Sequence, residues 1–497
     1  MKKAMKHVLC AMLIALLACA AVFAGGSKEA EQKDGYTKLV VAARTFGTVP
    51  GDLSQIQEEI SKITREKIGC EIELLIIPSG SYQQQITLML SGGEQLDCLG
   101  VTRALLQSAH ASDQLEPLDD LLAEYGKDIT EAVPAQYFKV GAFDGELYAI
   151  TTNRDHARGY GGWLLRTDLL EKYNIDVSEV TTFDALTEVF QIIHDNEPQM
   201  TIVTPGTVGQ SFLQWNVTFD NLNDYFGVLP QWGQDLEIVD LFTSQDYIDY
   251  CRVMREWYLR GFISKDILSS TESGITQMMA GNLFAYCNTG KPGIESQEEL
   301  SSGTDLTYVQ VLPTFTSTAA PITFEWTIPI TSADPEKAMQ FLNLMYSDSD
   351  VMNLLAYGIE GKHYVKKDDG TITYPEGVNS RNSGYNVNMA WQFGNEFIAE
   401  VWEGNDPSIW KQTEEWNTTG IFSKAMGFLY DNAKVQNEVA AVQNVYNEYR
   451  MSLECGLLEY DDVIGEMSKK MEAAGLQRII EEKQRQLDIW AAENGVV

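Results

Sequence analysis

The stretch Lys38-Leu-Val-Val-Ala-Ala43 opens the pattern that decides the fold class. It is a short apolar run with β-branched residues, and helical spacing follows it across residues 53–68. Two further strands are predicted at 71–77 and 96–101, and another helical segment, 82–91, separates them. Strands that alternate with helices in this way predict a parallel α/β sheet.

The segments that follow these strands are candidate ligand contacts, because ligands on parallel sheets bind beyond the carboxyl ends of the strands. They contain Arg44, Tyr82 and Arg103. For the two arginines the alternative interpretation is a solvated loop position. Three arginines beside one cleft would suit an acidic sugar through bidentate pairing with a carboxylate, although arginine also serves neutral hydroxyl groups.

A second α/β unit begins near residues 161–166. Thr182 precedes a segment with helical spacing and is a candidate helix cap. Strands are predicted at 283–286 and 306–312, and the last ninety residues are predicted to be helical.

The amino terminus has the organisation of a bacterial secretory signal. Three lysines precede an uncharged stretch in residues 1–24, and small residues fit peptidase cleavage before Gly25. The alternative is a lipobox that would make Cys19 a lipidated amino terminus. Residues 25–36 are small and polar and predict a flexible lead. We therefore expect an exported protein, in the periplasm or at the outer face of the cytoplasmic membrane.

Composition excludes one class of partner. The 497 residues include 71 acidic and 36 basic side chains, for a formal charge of -35. A charge this negative repels phosphate backbones, so no nucleic-acid partner is expected.

The cysteines beyond residue 24 are odd in number and suggest no disulfide framework, so we expect buried free thiols. They are Cys70, Cys98, Cys251, Cys287 and Cys455.

The chain carries no recognisable enzyme signature. The sequence contains no H-E-x-x-H, G-x-S-x-G, P-loop or G-x-G-x-x-G motif. The histidines are scattered without the spacing of metal ligands, and no cofactor is predicted. A pair of catalytic carboxylates is always conceivable among 71 acids, but nothing in the sequence singles one out.

Several segments, in their order along the chain, carry a resemblance to a known family. They are Asp144-Gly-Glu-Leu-Tyr-Ala-Ile-Thr-Thr-Asn-Arg-Asp155, residues 163–174, residues 278–286, Trp391-Gln-Phe-Gly-Asn395 and residues 475–490. The chain resembles the extracellular solute-binding proteins of bacterial ABC importers, in the large oligosaccharide-type family and its lipoprotein LplA-like subgroup.

The resemblance implies an α/β, two-lobed periplasmic-binding-protein fold with discontinuous lobes joined by hinge strands. Lobe 1 is expected at residues 37–151 and 315–360, and lobe 2 at 155–310 and 361–497. The implied function is capture of a carbohydrate, an oligosaccharide above all, by hinge closure, and its delivery to a membrane permease. A monomer without enzymatic activity is expected. The alternatives are a secreted carbohydrate-active enzyme, or a binding protein for a peptide or another polar solute.

The resemblance also places further residues at the cleft. Asn153, Arg154 and Asp155 follow the first crossing between the lobes, where they would contact sugar hydroxyls or form an internal Arg–Asp pair that stiffens the hinge. Asn288 follows a lobe-2 strand. Indole rings cover the apolar face of a pyranose, and the resemblance places Trp326 and Trp391 near the cleft, each to be weighed against a packing role.

Overall fold

The structure is a computed structural model, and it describes residues 35–46, 48–143, 145–321 and 323–496. The predicted signal peptide with Cys19, and most of the predicted lead, lie outside the described residues. Within those ranges, no helix is both long enough and apolar enough to cross a bilayer.

The described residues form α-helices, strands and short 3-10 helices. The strands are β1 (Thr37–Thr45), β2 (Cys70–Pro78), β3 (Cys98–Val101), β4 (Ala142–Phe143), β5 (Glu146–Leu147), β6 (Ile150–Thr151), β7 (Arg158–Gly159), β8 (Gly162–Arg166), β9 (Thr201–Thr204), β10 (Leu283–Cys287), β11 (Leu306–Gln310), β12 (Thr314–Thr316), β13 (Glu325–Thr327), β14 (Val365–Lys366), β15 (Thr371–Thr373), β16 (Val401–Trp402) and β17 (Ile421–Phe422). The α-helices are α1 (Leu53–Lys67), α2 (Ser79–Gly92), α3 (Arg103–His110), α4 (Asp119–Tyr125), α5 (Lys127–Ala132), α6 (Thr167–Lys172), α7 (Phe183–Asn196), α8 (Pro230–Gly233), α9 (Gln245–Leu259), α10 (Gly274–Met279), α11 (Ile294–Ser302), α12 (Pro335–Ser347), α13 (Ser349–Ala356), α14 (Ile409–Asn417), α15 (Gln436–Glu454), α16 (Tyr460–Ala474) and α17 (Leu476–Asn494). The 3-10 helices are Ala135–Gly141, Phe212–Trp215, Leu241–Thr243, Ile267–Ser269, Ala390–Gln392, Glu396–Ile398 and Ala433–Val435.

Lobe 1 is built on a five-stranded sheet in the order β2-β1-β3-β13-β6. β1 pairs in parallel with both β2 and β3, as the alternation of strands and helices predicts. β13 runs antiparallel to β3 and β6, although it comes from a part of the chain more than two hundred residues beyond β3. Helices cover the sheet because the strands are buried on both faces and need an apolar layer on each side.

Lobe 2 has a separate core around a four-stranded sheet in the order β11-β8-β10-β9. β8 is antiparallel to both of its neighbours, and only β10 and β9 pair in parallel. The predicted cap at the start of α7 is confirmed, because the Thr182 hydroxyl accepts a hydrogen bond from the Ala185 N–H at 3.2 Å. The three long carboxyl-terminal helices pack into the same core.

A small third sheet connects the lobes. It consists of β7, β12 and β17, and each of these strands lies where the chain passes from the core of one lobe to that of the other. Short strands between two separate cores are suited to absorb the backbone rotations of a hinge. The sequence predicts the first two of these crossings, and the structure adds the third, at β17.

The third crossing moves an expected domain boundary. Lobe 2 was expected to resume at residue 361, but Tyr385, Val387, Met389 and Phe393 belong to the lobe 1 core. The structure therefore extends lobe 1 to about residue 402, and the chain returns to lobe 2 near β17. The intervening segment escapes recognition because its strands β14, β15 and β16 have only two or three residues each and carry no periodic pattern.

The cysteines of the described chain are all buried and unpaired, as their odd number predicts. Burial raises the pKa of the Cys70 thiol to about 11 and that of Cys455 to about 12, so both stay protonated and unreactive at neutral pH. We expect a thiol reagent to modify the folded protein slowly and to reach all five of these thiols in denaturant without reductant. A disulfide would lower that count by two, which mass spectrometry of the alkylated protein would detect.

Candidate ligand-binding cleft

A cavity of about 410 Å3 opens between lobe 1 and a loop of lobe 2. Lobe 2 contributes the Lys291-Pro-Gly293 turn and the start of α11, while lobe 1 contributes the segment from Asn388 to Trp402. Helix α14 closes one side of the cavity. This volume falls within the range of ordinary small-molecule sites.

Aromatic side chains form much of the cavity wall. They are Tyr357, Trp391, Trp402 and Trp410. Trp402 packs edge-on against Tyr357, with ring centroids 5.8 Å apart, and Trp410 is fixed by a 2.7 Å hydrogen bond from its indole N–H to the Ala399 carbonyl. The Trp402 Nε1 is buried and has no hydrogen-bond partner among the described residues. The three indoles are half-buried, so each can offer a face to a ligand.

Asp155 is the centre of the polar network in the cleft. Its Oδ1 accepts hydrogen bonds from the Arg154 Nε at 2.9 Å and from the Arg154 terminal nitrogen at 2.7 Å. Its Oδ2 accepts from the Lys291 Nζ at 3.0 Å, and Arg158 lies 3.6 Å away. Burial acts to raise the pKa of Asp155, but these three cations outweigh it and hold the pKa well below its usual range.

Glu396 is a second carboxyl at the same cavity, and its pKa is shifted in the opposite direction from that of Asp155. Loss of water around the carboxyl, reinforced by the negative charge of Asp155, raises the pKa of Glu396 to about 7. Its backbone N–H donates to the Asn153 carbonyl at 2.9 Å, which ties this segment of lobe 1 to the first crossing.

Trp391 lies among positive charges. The guanidinium carbon of Arg154 is 5.0 Å from its ring centroid, and that of Arg44 is 5.2 Å from it. Guanidinium groups at this range are attracted to the negative face of an indole. The structure thus brings together four residues that the sequence selects, Arg44, Arg154, Asp155 and Trp391.

Other selected residues have structural roles instead. Trp326 is fully buried in lobe 1 and donates its indole N–H to the Gln392 carbonyl at 2.7 Å, so it packs in the core and does not face the cleft. Tyr82 lies in the first turn of α2, not in a strand-end loop. It is only 2% exposed, and its hydroxyl donates to the Gly100 carbonyl at 2.5 Å. Both corrections come from tertiary packing that local sequence does not reveal.

The remaining three candidates lie outside the cavity wall. Arg103 begins α3, bonds to the Val140 carbonyl at 2.7 Å and pairs with the buried Glu325. Asn153 is buried at the lobe crossing, where its side-chain amide donates to Asn395 at 3.1 Å. The side-chain oxygen of Asn288 accepts a hydrogen bond from the backbone N–H of the next residue, Thr289.

Among the cavity residues that the sequence does not point to are two charged and two indole side chains. They are Lys291, Glu396, Trp402 and Trp410. A usable signal exists for the two tryptophans, since residues 391–416 hold four Trp without the periodicity of a core helix. Lys291 and Glu396 carry no local signal, because only the folded chain brings them to Asp155.

Comparison with known proteins decides the family. The model of the bacterial extracellular solute-binding protein family matches residues 47–352, well over half of the chain. The chain belongs to that family. A second model, for a domain of unknown function called DUF3502, matches residues 424–492 of this solute-binding protein.

Two curated relatives of this solute-binding protein illustrate the similarity. It is 24% identical over 488 residues to the carbohydrate ABC transporter substrate-binding protein of Streptococcus pneumoniae, with 96% of each chain covered. It is 22% identical over 392 residues to the polygalacturonan/rhamnogalacturonan-binding protein YtcQ of Bacillus subtilis, with 73% of this chain and 76% of the relative covered.

Solved structures confirm the two-lobed α/β fold. A crystal structure of the N-glycan transport solute-binding protein NgtS from Streptococcus pneumoniae matches with a TM-score of 0.79 and 20% identity, covering 92% of this chain and 100% of that one. NgtS in complex with Man1GlcNAc matches with a TM-score of 0.65 and 21% identity, covering 91% and 99%.

Proposed function

We propose that this protein is the substrate-binding component of an ABC importer that captures an oligosaccharide and delivers it to a membrane permease. The observation that carries the proposal is the cavity between the lobes, where three half-buried indoles stand beside a fixed set of polar groups. Flat aromatic faces cover the apolar faces of sugar rings, and a few convergent polar groups bind the hydroxyls. The names of the relatives, which bind or transport carbohydrates, support the same class of ligand.

Closure about the hinge sheet is the proposed capture step. The two NgtS structures are of one protein, yet this chain matches one with a TM-score of 0.79 and the sugar complex with 0.65. A difference of this kind is expected when the lobes of a relative change their relative orientation. Ligand contacts made only in the closed arrangement would shift the population toward it.

The neighbouring carboxyls of Asp155 and Glu396 favour one alternative function, that of a glycoside hydrolase. Such enzymes use two carboxyls whose surroundings drive their pKa values apart, as happens here. However, both oxygens of Asp155 are already held by Arg154 and Lys291, which leaves a poor nucleophile or base. We therefore assign the pair a binding role and propose that the protein is not an enzyme.

The proposed setting follows from the family and the charge. The protein would be exported, act as a monomer in the periplasm or at the outer face of the cytoplasmic membrane, and meet the permease there. The formal charge of -35 disfavours contact with nucleic acid.

Small-angle scattering during titration with a saccharide panel tests the function. A saccharide that binds should reduce the radius of gyration, because the lobes close over it, and chromatography after incubation should recover it intact. Product sugars that appear with turnover would support the hydrolase alternative instead. Binding of peptides but of no saccharide would contradict the carbohydrate assignment.

A further inference from the structure

Arg44 contacts Trp391 of the cavity wall, is not itself part of that wall, and has no carboxylate partner among the described residues. Its guanidinium carbon lies 5.0 Å from the ring centroid of Phe324, 5.2 Å from that of Trp391 and 5.5 Å from that of Phe46. Its Nε is buried and makes no hydrogen bond, and no acidic residue of the described chain forms an ion pair with it. Aromatic rings attract a guanidinium, but they do not satisfy its N–H donors.

Positive side chains outnumber carboxyls in the group of charged residues around Asp155 and Trp391. Four cations accompany two carboxyls, so the formal charge is +2 even when both carboxyls are ionised. These groups are Arg44, Arg154, Arg158, Lys291, Asp155 and Glu396. A positive cluster is unexpected by chance in a chain whose formal charge is -35.

The cations are arranged around one aromatic platform. Arg44 and Arg154 both lie against Trp391, and Lys291 lines the same cavity from lobe 2 with its side chain 31% exposed. Asp155 accepts hydrogen bonds from Arg154 and Lys291, but none from Arg44. The Nε of Arg44 is buried, but its terminal N–H groups make no hydrogen bond to the described residues and remain for a ligand beside Trp391.

We propose that the ligand is an acidic oligosaccharide, and that Arg44 from lobe 1 and Lys291 from lobe 2 recognise its carboxylate beside Trp391. This inference rests on the proposed saccharide-binding function and adds the chemical class of the sugar. A carboxylate matches the planar fork of a guanidinium and would supply the negative charge that Arg44 lacks. Recognition from both lobes would also make the bound anion favour closure.

Matched pairs of sugars that differ only in their acidic groups test the inference. Calorimetry would compare 3′-sialyllactose with its methyl ester, trigalacturonic acid with its trimethyl ester, and a sulfated chondroitin disaccharide with its desulfated form. In at least one carboxylate pair the acidic member should bind at least tenfold more tightly, and raising the salt concentration should reduce this ratio. Tight binding of the sulfated sugar alone would contradict the carboxylate assignment.

Variants separate charge recognition from packing. Arg44→Met keeps the length and the apolar stem of the side chain, and should lower affinity for the acidic sugar at least tenfold more than it lowers affinity for the neutral member. Arg44→Lys should recover part of the loss. The matched control is Arg252→Met, which removes a cation that is 59% exposed on α9 and should change neither affinity. Melting temperatures of all three variants would show whether each is folded.

The outcomes distinguish the preference for acidic sugars from the saccharide-binding function on which it rests. Equal affinity for both members of every pair would overturn the acidic assignment and leave saccharide binding intact. A preference for acidic sugars that persists in Arg44→Met would overturn the role of Arg44. If no sugar of either kind binds, the saccharide function itself is contradicted, and this inference with it.

Discussion

Replacing Trp326 by alanine should lower the free energy of unfolding by about 3–5 kcal/mol, as expected for truncation of a fully buried aromatic side chain. The indole is fully buried in lobe 1, stacks on Phe393 with ring centroids 6.2 Å apart, and donates its N–H to the Gln392 carbonyl. The substitution removes this packing and leaves both a cavity and an unpaired carbonyl. Urea denaturation of the variant and the wild type would measure the loss.

Trp402→Ala is the matched comparison. Its indole is half-buried at the cavity and its N–H has no partner, so truncation should affect folding far less. Affinity for the saccharide should fall by about ten- to hundredfold, as expected when a stacked ring is lost. If Trp326→Ala unfolds at the same urea concentration as the wild type, or Trp402→Ala binds normally, the division between core and cleft is wrong.

Between pH 5 and pH 7.5 the buried carboxyl of Glu454 should make the protein less stable as the pH rises. This side chain accepts hydrogen bonds from Ser211 at 2.5 Å and from Tyr446 at 2.7 Å, yet burial raises its pKa to about 7. An unfolded chain releases the same proton near pH 4.3. Within this interval the folded state holds a proton that the unfolded state has lost, so the free energy of unfolding falls by up to about 1.4 kcal/mol per pH unit.

Glu454→Gln should remove the contribution of this carboxyl, since the amide stays neutral at every pH, while the contribution of Glu396, whose pKa is also raised to about 7, remains. Relative to the wild type, the variant should gain stability from pH 5 to pH 7.5 in urea titrations. Glu466→Gln is the control, because that carboxyl is 69% exposed on α16 and its pKa is lowered by Lys470, so both states are ionised throughout. A difference between Glu454→Gln and the wild type that does not vary with pH would show that Glu454 is ionised in the folded protein.

Local sequence predicts the first strands well because each is rich in aliphatic residues. β1 and β3 are buried on both faces, whereas burial alternates along most of β2, and both patterns are visible without tertiary information. β13 has only three residues and gains its place from pairing with β3 and β6. That pairing encloses Trp326, so its burial depends on contacts that no local pattern encodes.

Local sequence likewise predicts some residues of the candidate site and not others. Arg154 and Asp155 could be proposed because they follow a recognisable crossing segment. Lys291 lies in a turn and Glu396 in a 3-10 helix, and both reach the cleft only through the way the lobes pack together. The direct pairing of Arg154 with Asp155 also matches the hinge-stiffening interpretation, so this pair has one role within the protein and a second, proposed role toward the ligand.

The interleaving of the lobes has a consequence for how the chain matures. Strand β13 lies inside the lobe 1 sheet, between β3 and β6, so that sheet is incomplete until residue 327 is available. Contacts between residues so far apart in sequence form slowly, because a long loop must close before they are made. During synthesis the lobe 1 sheet cannot be completed before residue 327 of the 497 has emerged. A chain that delays its own folding in this way remains unfolded for longer, which would favour the export proposed above.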